Sequence, residues 1–110
     1  MTDLPRHKKA VIDGKEYDTE KATLLATASS TMAREYLFRA GDGDYFMFHC
    51  QMSLEGYSYP EQDKIFLVSE DDAIDFFEGA FQFVSTKEAF PNAKDAWGWV
   101  DEGSGGDNLI

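Results

Sequence analysis

His49 and Cys50 stand next to each other, and a thiol beside an imidazole is the pairing that nucleophilic catalysis uses. Both fall in a strand-rich run from Asp44 to Met52. Neighbouring strand residues point to opposite faces, so the two side chains cannot share the hydrogen bond that a nucleophile and its base require. Cys50 therefore reads as a core thiol. His7 lies near the start of the chain and His49 among aromatics, so no imidazole ligands converge on a metal. Asp42 and Asp44 have the spacing that opens a calcium loop, but Met47 and Phe48 fall where oxygen ligands are needed. Gly41-Asp42-Gly43 has neither the lysine nor the following helix of a phosphate-cradling loop. Glycoside chemistry needs one carboxyl in an apolar pocket, and the sequence singles out none among its 21 acids. The expectation is a protein with no catalytic residue, no metal and no cofactor.

The chemistry that does stand out is charge. The chain carries 21 acids against 10 Lys and Arg, a formal charge of −11, which repels phosphate backbones and anionic lipid alike. The charge is uneven: residues 1–40 carry +1 and residues 41–110 carry −12. Glu61, Asp63, Glu70, Asp71, Asp72, Asp75 and Glu78 crowd eighteen residues whose only base is Lys64. Solvated acidic faces are common and aid solubility. Here, however, Asp71, Asp75 and Glu78 repeat at i, i+4 and i+7 on one predicted helical face, where like charges cost about 0.2–0.5 kcal/mol per pair. A field of one sign held against that cost suits a partner of the opposite sign, and strongly basic protein surfaces are commonly grooves that hold nucleic acid.

At 110 residues the chain is one domain, and 43% apolar with 15% aromatic residues supports a packed core. One cysteine makes no internal disulfide, no apolar run approaches the roughly 20 residues of a spanning helix, and no signal-type stretch follows the basic start, which points to a soluble cytosolic protein. Residues 1–10 and 103–110 read as flexible ends around a domain at 11–102.

Asp13-Gly14 predicts a small hairpin between Val11-Ile12 and Glu16-Tyr17. Asp18 or Thr19 is positioned to cap a helix through about Ser30, with Ala22, Leu25, Ala26 and Ser29 at helical spacing. Arg34–Ala40 and Asp44–Met52 form a hairpin about Asp42-Gly43, read as a two-residue turn. That register sets Ala40 opposite Tyr45, Phe38 opposite Met47 and Tyr36 opposite His49, leaving both faces apolar and in need of cover. Lys64–Val68 adds a strand, and Ser69 starts a helix running to about Val84 on Ala73, Phe76, Phe77, Ala80, Phe81 and Val84. A last short helix from Asn92 or Ala93 to Val100 offers Trp97 as cover. The order β-α-β-β-β-α predicts an α+β fold, a small antiparallel sheet with helices packed on it.

Lys15-Glu16-Tyr17-Asp18-Thr19-Glu20-Lys21-Ala22, Tyr36-Leu37-Phe38-Arg39, Gly43-Asp44-Tyr45-Phe46 and Ile65 to Ala73 resemble the spaced motifs of a loose set of small accessory proteins of bacterial phages and mobile elements. Within that set, a strand-to-helix step with Leu at the position of Val68 is more usual. The likeness spans about residues 14–80. Small acidic phage proteins of this kind resemble anti-CRISPR and anti-restriction inhibitors as a functional class. The resemblance implies stoichiometric binding to a nuclease complex in a bacterial cytoplasm, without catalysis.

The expected function is thus a DNA mimic that occupies the basic groove of a defence complex, such as a CRISPR effector subunit, and binds neither nucleic acid nor membrane itself. Asp71, Asp72, Asp75 and Glu78 are the expected contacts, with Glu61 and Asp63 flanking. The alternative is an interaction module that binds through the aromatic face of its hairpin, with Tyr36, Phe38, Tyr45 or Trp97 as anchors.

Overall fold

A computed structural model describes residues 7–30, 32–52 and 62–93. Glu61, Trp97 and nearly all of the expected last helix and tail lie outside the described residues. Strands hold 48% and helices 18% of the described chain, so the fold is mostly β and the α+β expectation is corrected. Strands β1 (Lys9–Ile12) and β2 (Lys15–Asp18) form a separate two-stranded sheet. Strands β3 (Thr23–Ser29), β4 (Ala33–Arg39), β5 (Tyr45–Gln51), β6 (Lys64–Val68) and β7 (Phe81–Gln82) form a five-stranded antiparallel sheet in the order β6-β5-β4-β3-β7. Helix α1 (Glu70–Glu78) leads from one edge strand to the other, and α2 (Thr86–Ala89) is a single turn.

The first hairpin forms as its turn residues require. Asp13 and Gly14 both take positive φ, 53° and 80°, the geometry of a tight two-residue connection whose twist matches the strands. Pairing begins at Lys9, so the strand reaches into the segment expected to be a flexible lead.

The helix expected over Thr19–Ser30 is strand β3. Asp18 does cap a turn: its carboxylate accepts from the Glu20 N–H at 2.9 Å, and its carbonyl accepts from Lys21 and Ala22, both at 3.1 Å. One turn is all that follows. A β-bulge at Leu25 separates the Leu24–Phe38 pair from the Ala26–Leu37 pair, so Leu25 and Ala26 both enter the core on one face while Leu24 packs on the other. That inserted residue breaks the period of two and imitates helical spacing.

The central hairpin pairs one residue out of the expected register. The Ala40 N–H donates to Asp44 O at 2.8 Å, the Gly43 N–H to Ala40 O at 2.9 Å, and Gly43 sits at φ 101°. The loop therefore holds three residues, Gly41, Asp42 and Gly43, with glycine taking the left-handed position. Phe38 now opposes Phe46, Tyr36 opposes Phe48 and Glu35 opposes His49.

This register sorts the two faces. Tyr36, Phe38, Phe46, Phe48 and Cys50 form one cluster with Tyr17, whose ring meets Phe46 edge-on at 5.5 Å. Leu37, Tyr45 and Met47 face the other way, beneath Ala73 and Phe77 of α1 and Ala89-Phe90 at the end of α2. Both faces are apolar, as expected, but a hairpin packs against one of them where helices were expected throughout.

The helix expected to reach Val84 stops at Glu78. Gly79 takes the C-cap, and β3, otherwise an open edge, captures the chain by pairing Ala26 with Gln82 and Thr27 with Phe81. The Phe83 N–H extends the pairing to Leu25 O at 2.9 Å. Gln82 Nε2 then satisfies the Phe77 carbonyl at 2.9 Å. Before Pro91, where the sequence reading placed no helix, a Ser85–Glu88 capping box closes the turn of α2. The guanidinium of Arg39 donates to the Glu88 and Ala89 carbonyls, and the Tyr45 hydroxyl to Ala89 O at 3.0 Å.

Candidate functional site: the acidic face of helix α1

Helix α1 is built to hold acids outward. Ser69 caps it, its hydroxyl accepting from the Asp72 N–H at 3.1 Å. Glu70, Asp71 and Asp72 occupy the first turn, where the helix dipole favours negative charge by about 0.3–1 kcal/mol each. Ala73 and Phe77 are fully buried against the sheet and fix which side faces water. Glu70, Asp71, Asp72, Asp75 and Glu78 are all exposed.

Two of these acids gain nothing from the fold. Asp75 lies beyond the first turn, and Glu78 sits in a last turn that holds no base, where the dipole opposes it. Ion pairs among the described residues join His7 to Asp18 and Glu20, Lys9 to Glu16, Lys15 to Asp42 and Asp44, and His49 to Glu35. Lys9 and Lys15 thus pair within the N-terminal half and with the turn beside it, Arg39 turns to the Glu88 and Ala89 carbonyls, and none of these ion pairs touches α1.

Of the expected contacts, the structure brings together Asp71, Asp72, Asp75 and Glu78 on α1. It separates Asp63 from them: that residue is buried just before β6, 9% exposed, so its carboxylate is not part of the outward ridge. Glu61 lies outside the described residues. The aromatic anchors of the alternative reading are withdrawn from solvent, with Tyr36 at 3%, Phe38 at 1% and Tyr45 at 7% exposure, and they divide between the two faces.

Two polar clusters escaped the sequence. His49 Nδ1 lies 3.0 Å from Glu35 Oε2, a cross-strand pair that only the three-residue loop brings into register. Cys50 points to the opposite face, as expected of adjacent strand residues, and no group of three metal-ligating side chains occurs among the described residues. The second cluster joins the hairpins: Asp44 Oδ2 accepts from Lys15 Nζ and from the Tyr17 hydroxyl, each at 2.8 Å. Lys15 first, then Tyr17, hold the Asp44 carboxyl below its usual range, while the hydrogen bond to Asp44 raises both Lys15 and Tyr17.

The sign follows from linkage. A depressed carboxyl stabilises the fold above its ordinary pKa of about 3.9 and loses that contribution as pH falls through its lower folded value. The raised Lys15 and Tyr17 contribute below about pH 10 and lose their contributions as pH rises further. Asp44→Asn is expected to destabilise the protein at neutral pH and to match wild type in strong acid. Urea midpoints measured from neutral to acid pH check this; a gap that persists unchanged in strong acid would contradict it.

No helix among the described residues is long and apolar enough to cross a membrane. Comparison of the chain with protein-family models, with curated proteins and with solved structures returns no match.

Proposed function

We propose that the protein is a non-catalytic inhibitor of the anti-CRISPR or anti-restriction type, whose α1 ridge occupies the basic nucleic-acid groove of a defence complex. The observation that carries the reading is the exposed run of carboxylates on α1, none of which is joined by the ion pairs seen among the described residues. Their spacing supports it. At a rise of about 1.5 Å per residue, Asp71 to Glu78 spans about 10.5 Å, and four carboxylates across that length repeat on average every ~3.5 Å. One strand of B-DNA carries a charge every ~3.4 Å of axis. Lys64, exposed on β6, is the nearest base in sequence and stands before the helix, not along it.

The test is titration of the protein into DNA-binding assays with restriction endonucleases and CRISPR effector complexes. Competition with DNA at near-stoichiometric ratios, weakening as salt rises, is the expected result. DNA binding left intact across such a panel at low salt would count against the reading.

A further inference from the structure

Strand β6 closes one edge of the sheet, with β5 on one side and no strand on the other among the described residues. The opposite edge, β7, is two residues long, a common way of blunting an edge, whereas β6 has five residues, no proline and a charge only at Lys64. Phe66 and Leu67 are 41% and 40% exposed and lie on opposite faces, Phe66 paired with Met47 and Leu67 with Phe46. An edge strand with apolar side chains open on both faces is the template that peptide strands add to.

A cleft of about 420 Å³ opens at the C-terminal end of this strand, lined by Leu67, Val68, Ser69, Glu70, Asp44 and Tyr45. Its walls are aliphatic and aromatic, and its two carboxylates come from different elements, the β4–β5 turn and the first turn of α1. Asp44 is shared with Lys15, but Glu70 has no ion pair among the described residues. The Tyr45 phenol is raised by burial and then by the charge of Glu70, against the lowering effect of the Arg39 guanidinium, so the Glu70 charge is felt at the cleft wall. A lysine or arginine laid here would rest its methylenes on Leu67 and Val68 and place its cation beside Glu70.

We propose that the β6 edge and this cleft together dock an extended basic segment of a partner protein, which adds as a strand to β6 and seats a Lys or Arg beside Glu70 and Asp44. The proposal deepens the function proposed above and rests on its reading of the partner as cationic, but it assigns different side chains from the α1 ridge. A second copy of this chain fits less well, since self-pairing brings two chains of −11 together.

The experiment uses the full chain and a short capped fluorescent peptide alternating Arg and Val, with an alternately N-methylated version and a Glu-Val version as controls. Anisotropy at low salt is expected to show binding of the Arg-Val peptide and at least tenfold weaker binding of both controls. Phe66→Lys and Glu70→Lys should each weaken it at least tenfold, with circular dichroism confirming the fold; Glu70→Gln serves if either variant misfolds. Combined reversal of Asp71, Asp75 and Glu78 should abolish competition with DNA yet move peptide affinity less than threefold. Loss of peptide binding in that variant would merge the two surfaces and overturn the assignment to β6. Equal binding of the N-methylated peptide, or indifference to Phe66→Lys and to both Glu70 variants, would also overturn it. A dimer in sedimentation that Phe66→Lys dissociates would give the edge to a second copy instead.

Discussion

Replacing Asp71, Asp75 and Glu78 together by lysine is expected to abolish competition with DNA for the basic groove. Opposite unit charges about 4 Å apart in a water-exposed contact are worth about 1 kcal/mol, and reversal turns attraction into repulsion of similar size. Three reversals therefore remove about 6 kcal/mol, a factor on the order of 10⁴ in affinity. The same contacts give wild type its salt dependence, because screening shortens their reach to about 10 Å at 0.1 M. Binding to an identified target that survives the triple reversal within about tenfold would end the mimic reading, since α1 would then be only a solvated face.

One of the three reversals, taken alone, should act oppositely on the fold. Glu78 opposes the dipole at the end of α1 and lies three and seven residues from Asp75 and Asp71. Glu78→Lys alone relieves both costs and is expected to stabilise the protein by about 0.5–1 kcal/mol while weakening its competition with DNA. A residue that costs stability where it stands and is required for binding has the signature of a functional surface. Denaturant midpoints and competition assays on this one variant separate the two effects, and a variant that loses stability would show that Glu78 makes a contact the dipole argument lacks.

Local chemistry of short range was legible in the sequence. Asp13-Gly14 makes its turn, Ser69 caps its helix, and the strand from Lys64 to Val68 pairs in the main sheet, because each depends on a few adjacent residues. What the sequence hid were single-residue insertions. The bulge at Leu25 gave a strand the spacing of a helix, and the third loop residue at Gly41 moved every pair of the central hairpin by one. That shift placed Tyr45 and Met47 with Tyr36 and Phe38 on one supposed aromatic face, when they lie on two. The acidic ridge of α1 was legible because helical period alone determines it. The buried position of Asp63 was not, because burial of one side chain depends on contacts between distant segments.

Phe77 and Phe81 stood on one apolar face in the helical reading, and their truncations are expected to differ sharply. Phe77 is fully buried, meets Phe90 edge-on at 5.3 Å and joins α1 to Leu37, Met47 and Ala89. Phe77→Ala is expected to cost about 3–5 kcal/mol through lost burial and the cavity left behind. That is a large share of the roughly 5–15 kcal/mol that holds a domain together, and at about 4–8 °C per kcal/mol it lowers the melting temperature by more than about 12 °C. Phe81 is 67% exposed on a two-residue edge strand, its ring against that of Phe83 at 5.2 Å. Phe81→Ala should stay within about 1 kcal/mol, the scale of a surface aromatic pair. Urea unfolding of the two variants distinguishes the folds directly: comparable losses would restore a helix running through Val84, whereas the expected disparity follows from Gly79 ending α1 and β3 capturing the chain beyond it.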